Sequence, residues 1–556
     1  MEIPGAELKK EWLYLLFGIA VMVNLSAIFI PITGPDGTLY AVIAKTMVQH
    51  HNYIALMYHG KDWLDKPHFP FWITALFFNF FGFTTWAYKL PGILFLLGGA
   101  VYTYLFARGL YNKQVALWSA MILLTAQHII LSNNDVRAEP YLTGLIIGSV
   151  YHFYRAYKID SFLQMVMGCA LAACAIMTKG TFALIPVVGA IGGHLIVTKQ
   201  WKALFNWRWL IALVLITVFI LPEIWCLYQQ FDIHPEKIIF GQKGVSGINF
   251  FFWDSQFGRF FNTGPIKGSG DPTFFIHTLL WAFLPWSLLL FASIYRFIKN
   301  GSKNAREYEW FNICGGLLTF FVFSASQFQL PHYLNIVFPF FAILTAQYLY
   351  HTTSAKTIRI IGAVQMGIIV LMLLLISLLH YYFEPQIFSW FTWIVAVLLF
   401  LWLLFLPGLR NGITWEKIGL RTLLASFIVN IYLNTSFYPS LMHYQAGSEA
   451  AIWINSHNSQ NLPVAELDEP PYVSAFEFYS ISPVKIIGSS GEGSIPARPF
   501  LLYAPATAIN SLSKNGWHVQ VLSTFERYWI TRLKPSFLNK STRKPELTTT
   551  MAVLVK

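Results

Sequence analysis

Gly34-Pro35-Asp36-Gly37-Thr38-Leu39-Tyr40-Ala41 follows directly on the first long apolar run, Trp12 to Pro31. An acid at the mouth of such a run is costly to desolvate, so it belongs in a wet cavity and usually has a task. The Gly and Pro around it suit a turn rather than a helix interior. Whether the run before it crosses a membrane therefore decides the fold.

The composition answers that. Of 556 residues, 56% are hydrophobic and only 12% charged, about half the quarter usual in soluble domains. Mean hydropathy is +0.52. Apolar runs of roughly 17–25 residues, the length that spans a bilayer, recur along the chain. A soluble domain is excluded, and the chain is expected to be a polytopic α-helical membrane protein. The first run has no small-residue cleavage site and is expected to be retained as a span. The net charge of +12 would suggest a nucleic-acid partner in a soluble protein. Here the cations sit mostly in short loops between apolar runs, where topology explains them, and no nucleic acid is expected. Cys169, Cys174, Cys226 and Cys314 all lie in apolar runs, so no disulfide framework is implied.

About thirteen spans are expected, near 12–31, 88–107, 115–132, 141–157, 162–178, 180–197, 209–228, 274–295, 308–326, 333–350, 360–382, 387–406 and 421–438. The apolar but short stretch Phe69–Phe83 is expected to lie on the membrane surface as a helix. One set of short loops carries 18 Lys and Arg, from Lys9 and Lys10 to Lys303, Arg306, Arg410, Lys417 and Arg421. The alternate, longer loops carry 10. The positive-inside rule places the first set in the cytoplasm. The long loops 32–87 and 229–273, the short ones at 133–140 and 327–332, and the tail then lie outside. Residues 1–440 are read as the transmembrane catalytic domain and 441–556 as an extracytoplasmic α/β domain. In the tail, Pro463–Glu466, Pro483–Ile487, Phe500–Tyr503, His518–Ser523 and Tyr528–Arg532 suggest strands. Ser448–His457 and Ala506–Asn515 suggest helices, and the polar last 20 residues suggest a loose end.

All the candidate chemistry falls in outer segments. Asp36, with Tyr40 one turn on, is either a turn-forming helix cap or a general base for a hydroxyl. Asp65-Lys66-Pro67-His68 is a solvated patch, a lipid head-group contact through Lys66, or a weak divalent-metal site through Asp65 or His68. The loop Asn133–Pro140 packs Asp135, Arg137 and Glu139 into a short connector. Lys179 stands between two spans beside Gly180, where a fixed ammonium suits a phosphate. Phe251–Phe260 is an interfacial amphipathic helix or carries a phosphate-gripping Arg259. Ser326–Tyr333 brings His332 and Tyr333. Each signal is weak; their position on one face is the stronger observation. Lys66, Arg137, Lys179 and Arg259 suit charge developing on a phosphate leaving group, and the acids suit a base acting on an acceptor. Transfer of a sugar from a polyprenyl phosphate meets both needs. A transporter would favour charged groups near mid-membrane, but the spans are largely uncharged at their centres. A polymerase of lipid-linked glycans shares the topology and stays an alternative.

These motifs occur in the order Asp36–Met47, Asp65-Lys66-Pro67, Glu139-Pro140, Thr178-Lys179-Gly180, Phe252–Phe260, Leu284-Pro285-Trp286 and Leu330-Pro331-His332-Tyr333. In this the chain resembles the GT-C glycosyltransferases, in particular the lipid A aminoarabinose transferases and the bacterial relatives of protein O-mannosyltransferases. The resemblance covers about residues 12–350. It implies a GT-C-like fold and inverting transfer from a polyprenyl-phosphate sugar at the outer face of the bacterial inner membrane. The acceptor would be a lipid (lipid A-like), a protein or a glycan. Asp36 matches the catalytic acid, with Glu139 or its rival Asp135 as the second. Lys66 and Lys179 match lysines near the donor phosphate, Arg259 matches an arginine of the second long loop, and Arg137 joins this set. Tyr40, His332 and Tyr333 line the expected pocket. Several positions depart from the family's pattern. Gly37 stands where a second acid is frequent, Leu39 where an arginine precedes the tyrosine, and Gln327 and Gln329 where lysines stand. A divalent metal stays open: Asp65 matches an acidic ligand, but Gln256 stands where a histidine would be needed.

Overall fold

The structure, a computed structural model, describes residues 10–301, 309–387, 390–405, 414–468, 474–488 and 495–556. It is mostly helical. Among the described residues, six helices are long and apolar enough to cross a membrane: Thr85–Leu110, Phe162–Lys179, Trp201–Phe219, Pro331–Tyr350, Ala355–Phe383 and Trp415–Met442. Leu210, Leu213 and Val214 on one of them are each at least 60% exposed, an apolar outer face that lipid would solvate. Every stretch expected to span carries helix in its described part, but they are not thirteen uninterrupted rods. The stretch 115–132 breaks at Ala126, which is extended (φ −66°, ψ 130°). The stretch 274–295 is interrupted between Phe274–Ala282 and Ser287–Gly301, where Pro285 supplies no N–H. Lys9, Lys303, Arg306 and Arg410 lie outside the described residues, as do 308, 388, 389 and 406 of the expected spans.

Four helices position the candidate site. Helix α1, Pro35–Gln49, has Pro35 in its first turn, where the missing N–H costs nothing. Helix α2, Phe69–Phe81, buries Phe71, Thr74, Ala75 and Phe78, one face at helical spacing. It ends at Gly82, whose φ is +74°. Helix α3, Glu139–Ile159, is buried along most of its length. Helix α4, Phe162–Lys179, starts under a Ser161 cap that accepts from the Gln164 N–H and stops at Gly180, φ +95°.

The C-terminal region forms a five-stranded sheet from β1 (Val464–Asp468), β2 (Val484–Gly488), β3 (Phe500–Pro505), β4 (Val519–Arg527) and β5 (Thr548–Val555), in the order β2-β1-β3-β5-β4. The pairs β1/β2 and β1/β3 are parallel, and β3/β5 and β4/β5 antiparallel. Two expectations fail here. Tyr528–Arg532 is not a strand but a loop folded on itself, with the Tyr528 hydroxyl donating to the Arg532 carbonyl at 2.9 Å. The last residues are not loose. In Thr548–Val555, Thr550 and Ala552 are buried on one face and Val553 and Val555 on the other, and β5 lies inside the sheet.

Helix α5, Ala475–Tyr479, ties this region to α1. The Lys45 ammonium on α1 donates to the carbonyls of Glu477, Phe478 and Ser480 at 2.9, 3.1 and 2.8 Å. The Tyr479 hydroxyl accepts from the Ile32 N–H at 2.8 Å, and the Gln445 amide donates to the Ile32 carbonyl at 2.9 Å. The turn carrying Asp36 is thus held from the sheet side as well as from the bundle.

Candidate active site

Asp36 sits in the first turn of α1, where the N-cap is Gly34 and no side chain caps the free N–H groups. The Asp135 carboxylate from the 133–140 loop lies against this turn. A Cβ at Gly37 would stand 2.5 Å from Asp135 Oδ1, so the acid occupies the space that any side chain at position 37 would need. An anion at a helix N-terminus is stabilised by the helix dipole. Asp135 Oδ1 is buried without a hydrogen-bond partner, and its Oδ2 accepts from Arg137 Nε at 2.6 Å. The other end of the guanidinium, Nη1, stands 3.0 Å from Asp36 Oδ2. One arginine therefore forks between two carboxylates. Asp36 is the open member: its side chain is 45% exposed, against 21% for Arg137. Burial raises the Asp36 pKa above the usual carboxylate value, Arg137 opposes that, and Asp135 adds to it.

A second cluster joins the first through His332. Arg137 Nη1 donates to His332 Nδ1 at 3.4 Å, which leaves the ring proton on Nε2, facing Glu139 Oε1 at 3.7 Å. Glu139, 1% exposed, also takes a close hydrogen bond from the Lys179 ammonium. Burial pushes its carboxyl up, but the Lys179 ammonium, with Arg137 further off, outweighs that and holds it below the usual carboxylate value. Its Oε2 is buried without a partner. The Lys179 ammonium stands 3.5 Å from the centre of the Tyr333 ring, a cation–π contact. Lys179 can reach all these groups because α4 ends on it. Gly180 has no room for a side chain, since Gln256 fills the space and donates to the Lys179 carbonyl at 3.0 Å.

The third cluster is Asp65, which accepts from Lys66 at 2.5 Å and is paired with Arg259. Burial raises its carboxyl, but the two cations hold it at about 2. Lys66, Lys179 and Arg259, from three separate segments, line one narrow cavity of about 90 Å³ whose other walls are largely aromatic and aliphatic, Phe182, Phe251, Phe328 and Tyr333 among them. Arg259 Nε is buried without a partner. Tyr40 packs edge-on against Trp63 and Phe71 and lines a small adjoining cavity with Lys66, Arg137 and Thr178.

The candidate residues thus converge from loops far apart in sequence. His68 does not serve as a free ligand: its Nδ1 meets Glu223 Oε1 at 3.0 Å and its Nε2 the Ile54 carbonyl at 2.8 Å. This fully buried pair was not foreseen. Glu223, an acid inside an apolar run, was its only trace in the sequence. A divalent metal does not fit the residues present. Asp65 is committed to two cations, and Gln256 is spent on the backbone of Lys179 and Phe182. Among the described residues no group of three His, Cys, Asp or Glu could hold one.

The architecture is shared with solved proteins. ArnT from Cupriavidus metallidurans, crystallised bound to undecaprenyl phosphate, superposes with a TM-score of 0.74 at 18% identity, over 98% of both chains.

The chain has the fold of a GT-C glycosyltransferase.

Sequence comparison agrees. The family profile of dolichyl-phosphate-mannose-protein mannosyltransferases matches residues 65–225. An undecaprenyl phosphate-α-4-amino-4-deoxy-L-arabinose arabinosyl transferase of Proteus mirabilis is 25% identical over 399 residues, 68% of each chain. That of Erwinia tasmaniensis is 25% identical over 56% of this chain and 55% of its own length, so the match spans little more than half of that relative. An uncharacterised protein of Aquifex aeolicus is 23% identical over 68% of this chain and 72% of its own. The chain resembles the lipid A aminoarabinose transferases among GT-C glycosyltransferases.

Proposed function

We propose that this GT-C-like chain is a glycosyltransferase that moves a sugar, with inversion, from a polyprenyl phosphate to a hydroxyl or phosphate of a lipid A-like acceptor. The supporting relatives are named for an undecaprenyl-phosphate aminoarabinose donor. The chain would be a multi-pass protein of the bacterial inner membrane, with residues 1–440 as the catalytic domain, loops 32–87 and 229–273 over its outer face, and 441–556 as a periplasmic α/β domain. The observation that carries the reading is the convergence of Lys66, Lys179 and Arg259 on one apolar-walled cavity, with the open carboxylate of Asp36 near enough to feel the charge of Lys66.

In this mechanism Asp36 takes the proton of the acceptor hydroxyl. The freed oxygen attacks the anomeric carbon as the bond from that carbon to the phosphate oxygen breaks. The polyprenyl phosphate leaves with the electron pair, and its charge meets the three cations. Arg137 holds Asp36 in place, and Glu139 keeps Lys179 aimed. No metal takes part in any step. The test is transfer of label from an undecaprenyl-phosphate sugar to lipid A in membranes. Arg259→Ala is expected to raise the donor KM ~10- to 100-fold, the worth of a hydrogen bond to a charged group. An unchanged KM removes Arg259 from the donor site.

The reaction needs Asp36 ionised. Its raised pKa places the acid limb of the pH–rate profile above the usual carboxylate range, with activity falling as pH drops through it. Asp135→Asn removes a neighbouring negative charge and leaves Arg137 to Asp36 alone. Both changes favour the ionised form, so the acid limb is expected to move to lower pH. A limb that stays put, or moves up, contradicts the fork.

A further inference from the structure

The buried pair His68–Glu223 takes no part in the steps described above, and both side chains are wholly shielded from solvent. Stability alone does not call for it, because apolar side chains of similar volume often hold such a place as well or better. What the pair supplies is direction. The Glu223 carboxylate meets His68 at two points: Oε2 accepts from the His68 N–H at 2.9 Å, and Oε1 faces Nδ1 at 3.0 Å. The other ring nitrogen, Nε2, donates to the Ile54 carbonyl at 2.8 Å. The His68 carbonyl accepts from the Trp72 N–H at 2.9 Å, in the first turn of α2. Ring and backbone of His68 are both fixed. With both ring nitrogens committed, His68 is in no position to exchange a proton with a substrate.

What this fixed point controls lies two residues back. Pro67 has a locked φ and no N–H, and a residue before proline is kept out of the helical region. Lys66-Pro67-His68 is therefore a stiff arm, and anchoring His68 sets where the Lys66 side chain leaves the backbone. Lys66, Pro67 and Glu223 all line the phosphate cavity. Glu223 belongs to the first turn of the helix Leu221–Leu227, which leads into the second long loop and Arg259. Further bonds run in parallel between the same two segments. The Gln230 side chain donates to the Leu56 carbonyl at 2.9 Å and accepts from the Leu56 N–H at 3.0 Å. Lys237 donates to Asp62 Oδ1 at 3.0 Å. The loop that carries Lys66 is thus laced to the one that carries Arg259.

We propose that His68 and Glu223 are positioning residues that hold Lys66 at the donor phosphate. This rests on the polyprenyl-phosphate reading and deepens it. A lysine on a free loop loses loop and rotamer freedom when it grips an anion. On an anchored arm part of that cost is met during folding. The pair also neutralises an acid in the cavity wall. Nε2 needs a proton for the Ile54 carbonyl, and the Nδ1–Oε1 contact needs another, so the pair has no net charge to repel a phosphate.

The test measures undecaprenyl phosphate affinity of the full-length protein in detergent, with thermal unfolding of each variant. Glu223→Ala is expected to weaken binding by about tenfold, the lower worth of a hydrogen bond to a charged group. Glu223→Gln is expected to bind as the native protein does. Its amide oxygen accepts from the His68 N–H and its amide N–H donates to Nδ1, so the anchor survives without the carboxylate. On a Lys66→Ala background, Glu223→Ala is expected to cost no further affinity, because the anchor acts through that ammonium. A merely structural pair would weaken binding equally on both backgrounds, in step with the loss of thermal stability. Native affinity in folded Glu223→Ala protein, equal losses on both backgrounds, or a Glu223→Gln protein as weak as Glu223→Ala overturns the positioning role alone. No affinity in the native protein, or full affinity in Lys66→Ala, overturns the donor reading of Lys66 and the positioning role with it.

Discussion

Asp36→Asn is expected to lower sugar transfer by about 10³-fold, within the 10²–10⁴ that a general base contributes, with binding of undecaprenyl phosphate intact. The amide keeps an oxygen for Arg137 Nη1, now 3.0 Å from the carboxylate, and Arg137 keeps its bond to Asp135. Geometry is therefore preserved while the proton acceptor is lost. The loss should fall on kcat rather than on donor KM, because the cations of the phosphate cavity are untouched. Asp36→Glu keeps a carboxylate, displaced by one methylene, and should recover part of the rate. Transfer at the native rate by folded Asp36→Asn protein, with normal donor affinity, removes Asp36 as the base.

Lys179→Met is expected to cost about 3–5 kcal/mol of stability, the penalty for stranding one partner of a buried ion pair. Glu139 is 1% exposed, and His332 at 3.7 Å is a distant substitute for the ammonium. The readout is thermal unfolding in detergent. Pairing the change with Glu139→Gln removes the stranded charge, so the double variant should regain much of the stability. It should not regain transfer, because the cation at the leaving phosphate is still missing. Recovery of both would make the pair purely structural. Failure of Lys179→Met to destabilise the protein would show that the buried carboxylate finds another partner.

The helical bundle was legible because its signal is one of composition: long apolar runs leave few alternatives. Positions of the acids and cations were legible for a related reason, since polar residues between apolar runs are conspicuous. What stayed hidden was pairing. Nothing in Gly37 announces that Asp135, about a hundred residues on, fills its space. Nor does Asp65 announce that it answers to Arg259 from the second long loop as well as to its neighbour Lys66. His68–Glu223 was missed because a lone acid in an apolar run has no partner visible in one dimension. The helix breaks at Ala126 and around Pro285 were missed because hydropathy does not register backbone direction. The last strand was missed for a different reason. Thr-Thr-Thr at 548–550 looks hydrophilic, yet it leads into Ala552, Val553 and Val555, a short stretch buried on both faces of the sheet.

That last strand governs how the protein comes into being. β5 stands between β3 and β4, pairing Thr550–Val555 with one and Thr548–Val555 with the other. Without it β4 has no neighbour in the sheet. The sheet therefore cannot close until a strand that follows the whole helical bundle in the chain has joined it. Until then β3 and β4 have open edges, the condition in which strands find wrong partners. The sheet region that braces the turn before Asp36 is thus completed only when β5 pairs, and a chain interrupted near residue 547 would carry every acid and cation of the site beside an unclosed sheet.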